Sequence, residues 1–353
     1  MTITILLGDV LDRLREMPDE SVHCIVTSPP YWGLRDYGVV GQIGLEPTYH
    51  EHITKMVEVF RDLRRVLRAD GTCWMNYGDC YASSPNGRSA EDCKAAGTDD
   101  RTFRDKPFST VQGTLKPKDL VMMPHRIAIA LQEDGWWVRS DIVWHKPNPM
   151  PSSVKDRPTP AKEYLFLLTK SARYFYDAGA IREEAVKGGG PGVAGWATDG
   201  AHTAIAHNQG ERKVSARDNF RRENSKRGIP QIGQTCGTHR PDRKDTAPAA
   251  DGLRNKRDVW TIATEAFSEA HFATMPTKLV EPCILAGCPK DGVVLDPFMG
   301  AGTVGLVAQR LGRSAIGIEL NPTYAEIAER RIREDAPLLA QVTVIGAAME
   351  AAE

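Results

Sequence analysis

The sequence has few cysteines, no long apolar run and almost no excess of charge of one sign. Seven cysteines occur among 353 residues, none of them in a CxxC pair, which argues against a disulfide framework or a zinc site. No apolar run approaches the roughly 18 residues of a membrane-spanning helix. The N-terminus lacks the basic region, apolar block and small-residue cleavage site of a secretory signal. We therefore expect a cytoplasmic protein with no membrane partner and no metal ion.

Apolar residues follow strand and helix periodicity in two separate parts of the chain. Short apolar runs predict strands at residues 3–7, 22–26, 72–77, 136–144, 164–169, 174–176, 293–296 and 315–318. Helical spacing predicts helices at 10–16, 49–68, 120–132 and 303–311. Strands that alternate with helices predict an α/β fold, with a mostly parallel sheet and helices on both faces.

Two long stretches show neither periodicity. Residues 82–117 are rich in Ser, Gly, Asp and Lys and read as a loop insertion. Residues 185–258 contain fourteen Lys or Arg against eight Asp or Glu, although the whole chain has a net charge of −1. A basic island of this kind suggests binding of a polyanion. A solvated surface loop accounts for the same composition equally well.

A rigid, aromatic turn follows the strand predicted at 22–26. It reads Thr27-Ser28-Pro29-Pro30-Tyr31-Trp32-Gly33. Consecutive prolines cannot continue a helix or a hydrogen-bonded ladder, so the carbonyls of Ser28 and Pro29 are left free. Acceptors beside a flat apolar ring suit an exocyclic amino group on a planar base: the Ser28 hydroxyl and Pro29 carbonyl accept its hydrogens, and Tyr31 stacks on the ring. Alone, Ser-Pro-Pro is also a common loop sequence.

A glycine turn follows the strand predicted at 293–296. It reads Asp296-Pro297-Phe298-Met299-Gly300-Ala301-Gly302-Thr303, and Gly305 completes a GxGxxG pattern. Glu319 ends the next strand, fourteen positions past Gly305, where a ribose-binding carboxylate is expected. The pattern fits either a dinucleotide or S-adenosylmethionine. Asp296 favours the second, because a carboxylate repels pyrophosphate but binds an ammonium group; capping a turn is its structural alternative.

The two motifs, in this order, resemble those of the amino DNA methyltransferases, which methylate N4 of cytosine or N6 of adenine from S-adenosylmethionine. Ser28–Tyr31 matches the family's (Asp/Asn/Ser)-Pro-Pro-(Tyr/Phe/Trp) motif. A catalytic motif that precedes the cofactor motif resembles the β group, and this implies a circularly permuted, Rossmann-like methyltransferase fold. The resemblance covers about 1–80, 118–182 and 258–333.

The resemblance implies four regions. These are a catalytic half at 1–182 with the 82–117 insertion, a target-recognition and DNA-binding insertion at 183–257, a cofactor-binding half at 258–335, and a tail at 336–353.

The resemblance also implies the site residues. The catalytic residues are Ser28, Pro29, Pro30 and Tyr31. The cofactor-binding residues are Asp9, near the adenine, Thr274, Asp296, Phe298, Gly300, Gly302, Thr303, Glu319, on the ribose, and Asn321. The residues expected to contact the target base are Trp32, Lys146 and Asn148, and the segments around Lys146 and Glu163 resemble the wall of the target pocket.

The function implied is site-specific methylation of a flipped base in double-stranded DNA, at cytosine N4, since serine at position 28 is more typical of cytosine enzymes. Adenine N6 is the nearest alternative. An NAD-dependent oxidoreductase would explain GxGxxG but leaves the Ser28–Trp32 stretch unexplained, and a DNA-binding protein without activity would not need both motifs intact. A homodimer and a cognate restriction endonuclease acting on the same site are compatible with the sequence.

Overall fold

The computed structural model describes residues 1–83, 108–185, 252–265, 274–336 and 341–346. The chain divides into two units, Met1–Ile181 with Arg257–Glu353, and Arg182–Lys256. This division lies close to the predicted boundaries of the 183–257 insertion. Most of that insertion, and residues 84–107 of the predicted loop insertion, lie outside the described residues. In the described ends of the second unit, β6 (Glu183–Glu184) pairs antiparallel with β7 (Leu253–Arg254).

The described strands of the first unit form a nine-stranded sheet in the order β11-β1-β10-β9-β2-β3-β5-β4-β8. The strands are β1 (Thr2–Leu7), β2 (Val22–Thr27), β3 (Leu67–Tyr77), β4 (Trp137–His145), β5 (Lys162–Thr169), β8 (Val259–Thr261), β9 (Val293–Asp296), β10 (Ser314–Glu319) and β11 (Gln341–Ile345). Among these strands, only the two pairings of β5 are antiparallel. The mostly parallel sheet predicted from the sequence is confirmed.

Helices cover both faces of the sheet. They are α1 (Val10–Glu16), α2 (Tyr49–Val66), α3 (Met123–Glu133), α4 (Thr277–Gly287), α5 (Thr303–Arg310) and α6 (Pro322–Asp335). Buried side chains of α1, α2 and α3 belong to one apolar cluster, and those of α4, α5 and α6 to a second. Successive strand residues point to opposite faces, so Met75 and Tyr77 of β3 join the first cluster while Trp74 joins the second. No described helix is both long and apolar enough to cross a membrane.

The strand order places the two predicted motifs side by side. Strand β2, which precedes Ser28, pairs in parallel with β9, which ends at Asp296. The sheet continues from β2 through β3 on one side and from β9 through β10 and β1 on the other. The N-terminal strand β1, which was assigned to the predicted catalytic half, thus pairs with β10 of the predicted cofactor-binding half. Open α/β sheets bind ligands where the strand order reverses, at the carboxyl ends of the strands.

Several elements differ from the sequence prediction. Helix α2 ends at Val66, and β3 begins at Leu67, whose side chain is fully buried. The run at 174–176 forms no strand. Helices α4 and α6 were not predicted. The predicted tail contains β11, which pairs in parallel with β1; only Val342 of this strand is buried, so the strand carries little apolar signal.

Candidate active site

A cavity of about 330 Å³ lies at the carboxyl ends of the central strands. Strands β1, β10, β9 and β2 are neighbours in the sheet. They end next to Asp9, Glu319, Asp296 and Ser28 respectively, and all four residues line the cavity. The volume is in the range of small-molecule sites. Parallel pairing therefore brings residues from both ends of the sequence into one site.

The Ser28 hydroxyl donates a hydrogen bond to the Tyr31 hydroxyl at 3.3 Å. Tyr31 in turn donates to Glu163 Oε2 at 2.9 Å and accepts from Asn76 Nδ2 at 3.0 Å. Burial and the nearby Glu163 carboxylate raise the pKa of Tyr31 well above its ordinary value, so the phenol keeps its proton. Because the Ser28 hydrogen points to Tyr31, the lone pairs of the Ser28 oxygen are available to a ligand.

The Glu163 carboxylate joins this chain to a cation. Lys146 Nζ donates to Glu163 Oε1, and Asn76 Nδ2 donates to Oε2 at 3.0 Å. The Lys146 ammonium also lies 4.3 Å from the centroid of the Trp144 ring. The strand pairing explains why Lys146 and Glu163 are in contact. Glu163, near the start of β5, lies at the same edge of the sheet as the carboxyl end of β4, which Lys146 follows. Glu163 is thus held between the Lys146 ammonium on one side and the Tyr31 hydroxyl and Asn76 amide on the other.

The glycine turn after β9 opens toward the cavity. Gly300 has a φ of +49° and lines the cavity, and a Cβ added there would enter open space. Gly302 has a φ of +77°, and a Cβ there would lie 2.8 Å from Ala328 Cβ of α6. Only glycine adopts these conformations without strain. Gly300 thus gives a ligand access to the backbone, whereas Gly302 allows α5 to approach α6.

Two carboxyl groups, one half-buried and one buried, flank the glycine turn. Glu319 accepts hydrogen bonds from the backbone amides of Gly300 and Asn321, both at 2.8 Å. Burial raises the pKa of Glu319, although these two amides oppose the shift. Asp296 is 3% exposed and accepts a hydrogen bond from the Phe298 amide at 3.1 Å. Burial raises the pKa of Asp296 to about 7.

Thirteen of the predicted site residues line the cavity. They are Asp9, Ser28, Pro29, Pro30, Tyr31, Lys146, Thr274, Asp296, Phe298, Gly300, Thr303, Glu319 and Asn321. Two of them also cap helices: Asp9 accepts from the Leu11 amide at the start of α1, and Asn321 accepts from the Thr323 amide at the start of α6. Their caps aim the first turns of these helices at the cavity edge.

Trp32 and Asn148, which were expected to contact the target base, do not line the cavity. Trp32 is 1% exposed, and its indole donates to the Glu46 carbonyl at 2.9 Å. A buried ring held in this way packs the turn against the core. Asn148 is exposed, and its side chain exchanges hydrogen bonds with Thr264 at 3.0 Å. It therefore supports the Thr264 segment, which does line the cavity.

The contacts of Glu163 and Asn76 with Tyr31 were not predicted. Both residues are polar within strands whose neighbours are mostly apolar, Glu163 in β5 and Asn76 in β3. A polar side chain in an otherwise apolar strand needs a hydrogen-bond partner, so these two positions in the sequence signal a polar contact. The partner could not be read from the sequence, because Glu163 and Tyr31 are 132 positions apart.

Comparisons with known proteins identify the family of this chain. A family model described as DNA methylase, of the N6/N4 methyltransferase type, matches residues 22–330. The chain is 44% identical over 330 residues to the Type II methyltransferase M.Cfr9I of Citrobacter freundii, which covers 94% of this chain and 87% of that protein. It is 39% identical over 328 residues to M.SmaI of Serratia marcescens, covering 93% of this chain and 90% of that protein.

Solved structures share the fold. The PvuII DNA methyltransferase, which is cytosine-N4-specific, matches with a TM-score of 0.57 and 16% identity, over 98% of this chain and 95% of that chain. A DNA modification methylase of Thermus thermophilus, TTHA0409, in complex with S-adenosyl-L-methionine, matches with a TM-score of 0.54 and 22% identity, over 99% and 100% of the two chains. Taken with the sequence relatives, these findings show that the chain belongs to the S-adenosylmethionine-dependent N6/N4 DNA methylase family and is an amino-methylating DNA methyltransferase.

Proposed function

We propose that the enzyme methylates N4 of a cytosine flipped out of double-stranded DNA, with Ser28 and Pro29 as the acceptors of the amino group. The observation that carries the proposal is the direction of the Ser28 hydrogen bond. The hydroxyl donates to Tyr31, so its oxygen faces the ligand as an acceptor only. A group that only accepts suits an amino group, which has hydrogens to donate.

The cavity fits S-adenosylmethionine at its glycine-turn end. When bound, the cofactor supplies an electrophilic methyl group on a positively charged sulfur. We assign Asp296 to its ammonium group, Glu319 to its ribose hydroxyls, the Gly300 turn to its methionine part and Asp9 to the neighbourhood of its adenine. Both oxygens of Glu319 already accept one backbone hydrogen bond each and keep a further lone pair. Two carboxyl groups at this end of the cavity disfavour a pyrophosphate, and hence the dinucleotide alternative.

Ser28 and Pro29 would act on the nitrogen that receives the methyl group. An exocyclic amino nitrogen is a poor nucleophile, because its lone pair is delocalised into the ring. Accepting its two hydrogens at the Ser28 oxygen and Pro29 carbonyl favours a more pyramidal nitrogen, whose lone pair can be directed at the methyl group. Positioning of this kind supplies much of the catalysis in transfers between bound partners.

The Ser28, Tyr31 and Glu163 side chains also offer a path for the surplus proton. After methylation, the amino nitrogen carries a positive charge and must lose one proton. Ser28 Oγ can take that proton while its own hydrogen passes to Tyr31 Oη, and the Tyr31 hydrogen passes to Glu163 Oε2. The hydrogen bonds needed for this relay are already present at 3.3 and 2.9 Å. Glu163 would end as a neutral carboxyl group beside Lys146, and solvent would then remove the proton.

A base within a duplex cannot reach a cavity at the end of a sheet, so we infer that the target base is flipped, as in other enzymes that modify bases. Tyr31 lines the cavity, and its ring is the candidate for stacking on the base. We assign phosphate contacts and site recognition to the basic 183–257 insertion, most of which lies outside the described residues.

The Type II names of the relatives extend the proposal to protection of DNA from a cognate restriction endonuclease.

Adenine N6 is the second candidate, since the same two acceptors could hold either amino group. Serine in place of a carboxylate at position 28 is the feature that favours cytosine. A neutral hydroxyl is a weaker acceptor than a carboxylate, and its own hydrogen is already donated to Tyr31.

Transfer of a labelled methyl group from S-adenosylmethionine to DNA tests the role of Ser28 directly. We expect Ser28→Ala to lower the single-turnover rate by about 100-fold, in line with losses on misplacing a reacting group. Cofactor affinity should stay unchanged, because Ser28 acts on the amine. Ser152→Ala, at an exposed serine, is the matched control. A Ser28→Ala enzyme with the wild-type rate would remove Ser28 from the mechanism.

A further inference from the structure

A hydrogen-bonded chain of three side chains, two of them fully buried, runs beneath the turn that carries Ser28 and Tyr31. His52 of α2 has no exposed surface, and its two ring nitrogens lie 2.7 Å from Glu46 Oε2 and 2.8 Å from the Tyr77 hydroxyl. Tyr77, at the end of β3, is also fully buried. Its hydroxyl accepts from the Trp32 backbone amide at 3.0 Å and lies 3.3 Å from the Pro30 carbonyl.

The chemistry of Glu46 fixes the direction of the hydrogen bond at one end of this series of side chains. A carboxylate only accepts, so His52 Nδ1 carries a hydrogen that it donates to Glu46. The second ring nitrogen of His52 and the Pro30 carbonyl both lie within hydrogen-bonding distance of the Tyr77 hydroxyl, at 2.8 and 3.3 Å. The Tyr77 oxygen is left to accept from the Trp32 amide. Burial raises the pKa of Glu46, but the hydrogen bonds from His52 and the backbone outweigh it, and the net shift is downward, which keeps the first acceptor of the chain ionised.

Residues 33–44 form a loop that begins directly after Trp32. Tyr77 and Glu46, the two ends of the hydrogen-bonded series, hold the two stems of this loop. At one stem Tyr77 binds the Trp32 amide. At the other, Glu46 Oε2 accepts from the Gly44 amide at 3.0 Å. The stems are joined to each other by a 2.9 Å hydrogen bond from the Gly33 amide to the Gly44 carbonyl. The loop supplies cavity-lining residues of its own, which are Leu34, Arg35, Tyr37, Val39, Gly41, Gln42 and Ile43.

We propose that Glu46, His52 and Tyr77 are positioning residues that hold the Ser28–Tyr31 turn and the 33–44 loop in the geometry needed for methyl transfer. None of the three side chains lines the main cavity, so they act through the backbone at Trp32 and Gly44. An apolar trio would fill the same space without the cost of burying a carboxylate and an imidazole. The polar chain instead sets where two backbone amides must lie, which apolar packing does not. The inference rests on the proposed role of the Ser28–Tyr31 turn.

Tyr77→Phe is the main test, because it removes one hydroxyl and keeps the buried ring. We expect kcat for total methyl transfer to DNA to fall by about 10- to 100-fold, since small misplacements of a reacting group have effects of this size. The dissociation constant of S-adenosylmethionine should change far less. Hydrogen–deuterium exchange should become faster in the peptide that contains the Trp32 amide, in the variant compared with the wild type.

Thr72→Val is the matched control on the same strand. Thr72 is fully buried on the opposite face of β3, and its hydroxyl donates to the Gly287 carbonyl at 3.1 Å. Both substitutions remove a buried hydrogen bond and should lower the melting temperature. Only Tyr77→Phe should lower kcat and speed exchange at Trp32. If the two variants lose stability alike and both keep the wild-type kcat, the chain is merely structural and the proposal is wrong.

His52 provides a rescue test. The side chain of His52→Gln offers an NH2 donor group and a carbonyl acceptor, whereas that of His52→Leu offers neither. We expect the Gln variant to keep more activity and slower exchange at Trp32 than the Leu variant, and equal loss in both would overturn the role of the hydrogen bonds. Exchange at Trp32 is measured without DNA, so it tests the role of Glu46, His52 and Tyr77 independently of the methylated base. A wild-type enzyme that methylates neither cytosine nor adenine would refute the proposed function instead.

Discussion

The Glu319 carboxylate accepts a hydrogen bond from the Gly300 backbone amide at 2.8 Å. This bond joins the end of β10 to the glycine turn after β9, so the residue assigned to the ribose also fixes the turn assigned to the methionine part. One side chain thereby shapes two parts of the proposed cofactor site. Loss of the Glu319 side chain should therefore lower the affinity for the cofactor more than the rate of methyl transfer.

Glu319→Ala should weaken binding of S-adenosylmethionine by about 1–3 kcal/mol, the usual cost of removing an acceptor from a buried polar contact. Titration calorimetry without DNA measures this effect. Glu334→Ala, at an exposed position of α6, should leave affinity unchanged. Equal affinity of Glu319→Ala and wild type would show that Glu319 does not hold the cofactor.

Asp296 should make cofactor affinity depend on pH. Its pKa is raised to about 7 in the free protein, and only the ionised form attracts an ammonium group. From pH 7 down to pH 5, affinity should therefore fall, by up to about tenfold per pH unit for one linked proton. Asp296→Asn should bind weakly and nearly independently of pH over this interval. A wild-type affinity that is flat from pH 5 to 7 would contradict the assignment of Asp296.

The same pKa should appear in the stability of the free protein. The folded-state pKa of Asp296 lies above the value of about 3.9 for an unperturbed aspartate, so the folded state holds the proton more tightly. The contribution of Asp296 to stability therefore falls as pH rises from about 4 to about 7. The melting temperature of Asp296→Asn relative to wild type should increase over this range, and a constant difference would argue against the shift.

Tyr31→Phe distinguishes the role of the Tyr31 hydroxyl from the role of its ring. The variant keeps a ring that can stack on the base, but it breaks the path from Ser28 to Glu163. We expect a loss of about 10²- to 10⁴-fold in the single-turnover rate, the range typical of proton transfer by a positioned side chain. Binding of target DNA should change little. If rate and binding are both unchanged, the Tyr31 hydroxyl has no part in the chemistry.

How far the sequence predicts this molecule depends on the kind of contact. The strand before Ser28 and the strand before Asp296 were predicted because apolar β-branched runs and glycine turns are local signals. Helix α4 was missed because its residues are apolar on nearly all sides and include Pro282, so no amphipathic period marks it. Trp32 was placed in the site because it adjoins Tyr31 in sequence, whereas the core fold buries its ring. The Tyr31–Glu163 and His52–Tyr77 contacts join distant segments, and only the fold reveals them.

The basic insertion at 183–257 should carry recognition of DNA. Deleting residues 190–250 should abolish selective DNA binding while calorimetry with S-adenosylmethionine still gives wild-type affinity. For the full chain, the affinity for DNA should fall steeply with salt concentration, because contacts from Lys and Arg release counterions. A truncated protein that still selects the wild-type site would place recognition elsewhere in the chain.

Identification of the methylated nucleoside tests the central claim most directly. DNA methylated in vitro by the wild-type enzyme, then digested to nucleosides and analysed by mass spectrometry, should contain N4-methyl-2′-deoxycytidine, and Ser28→Ala should yield far less of it. N6-methyl-2′-deoxyadenosine as the sole product would contradict the assignment of cytosine.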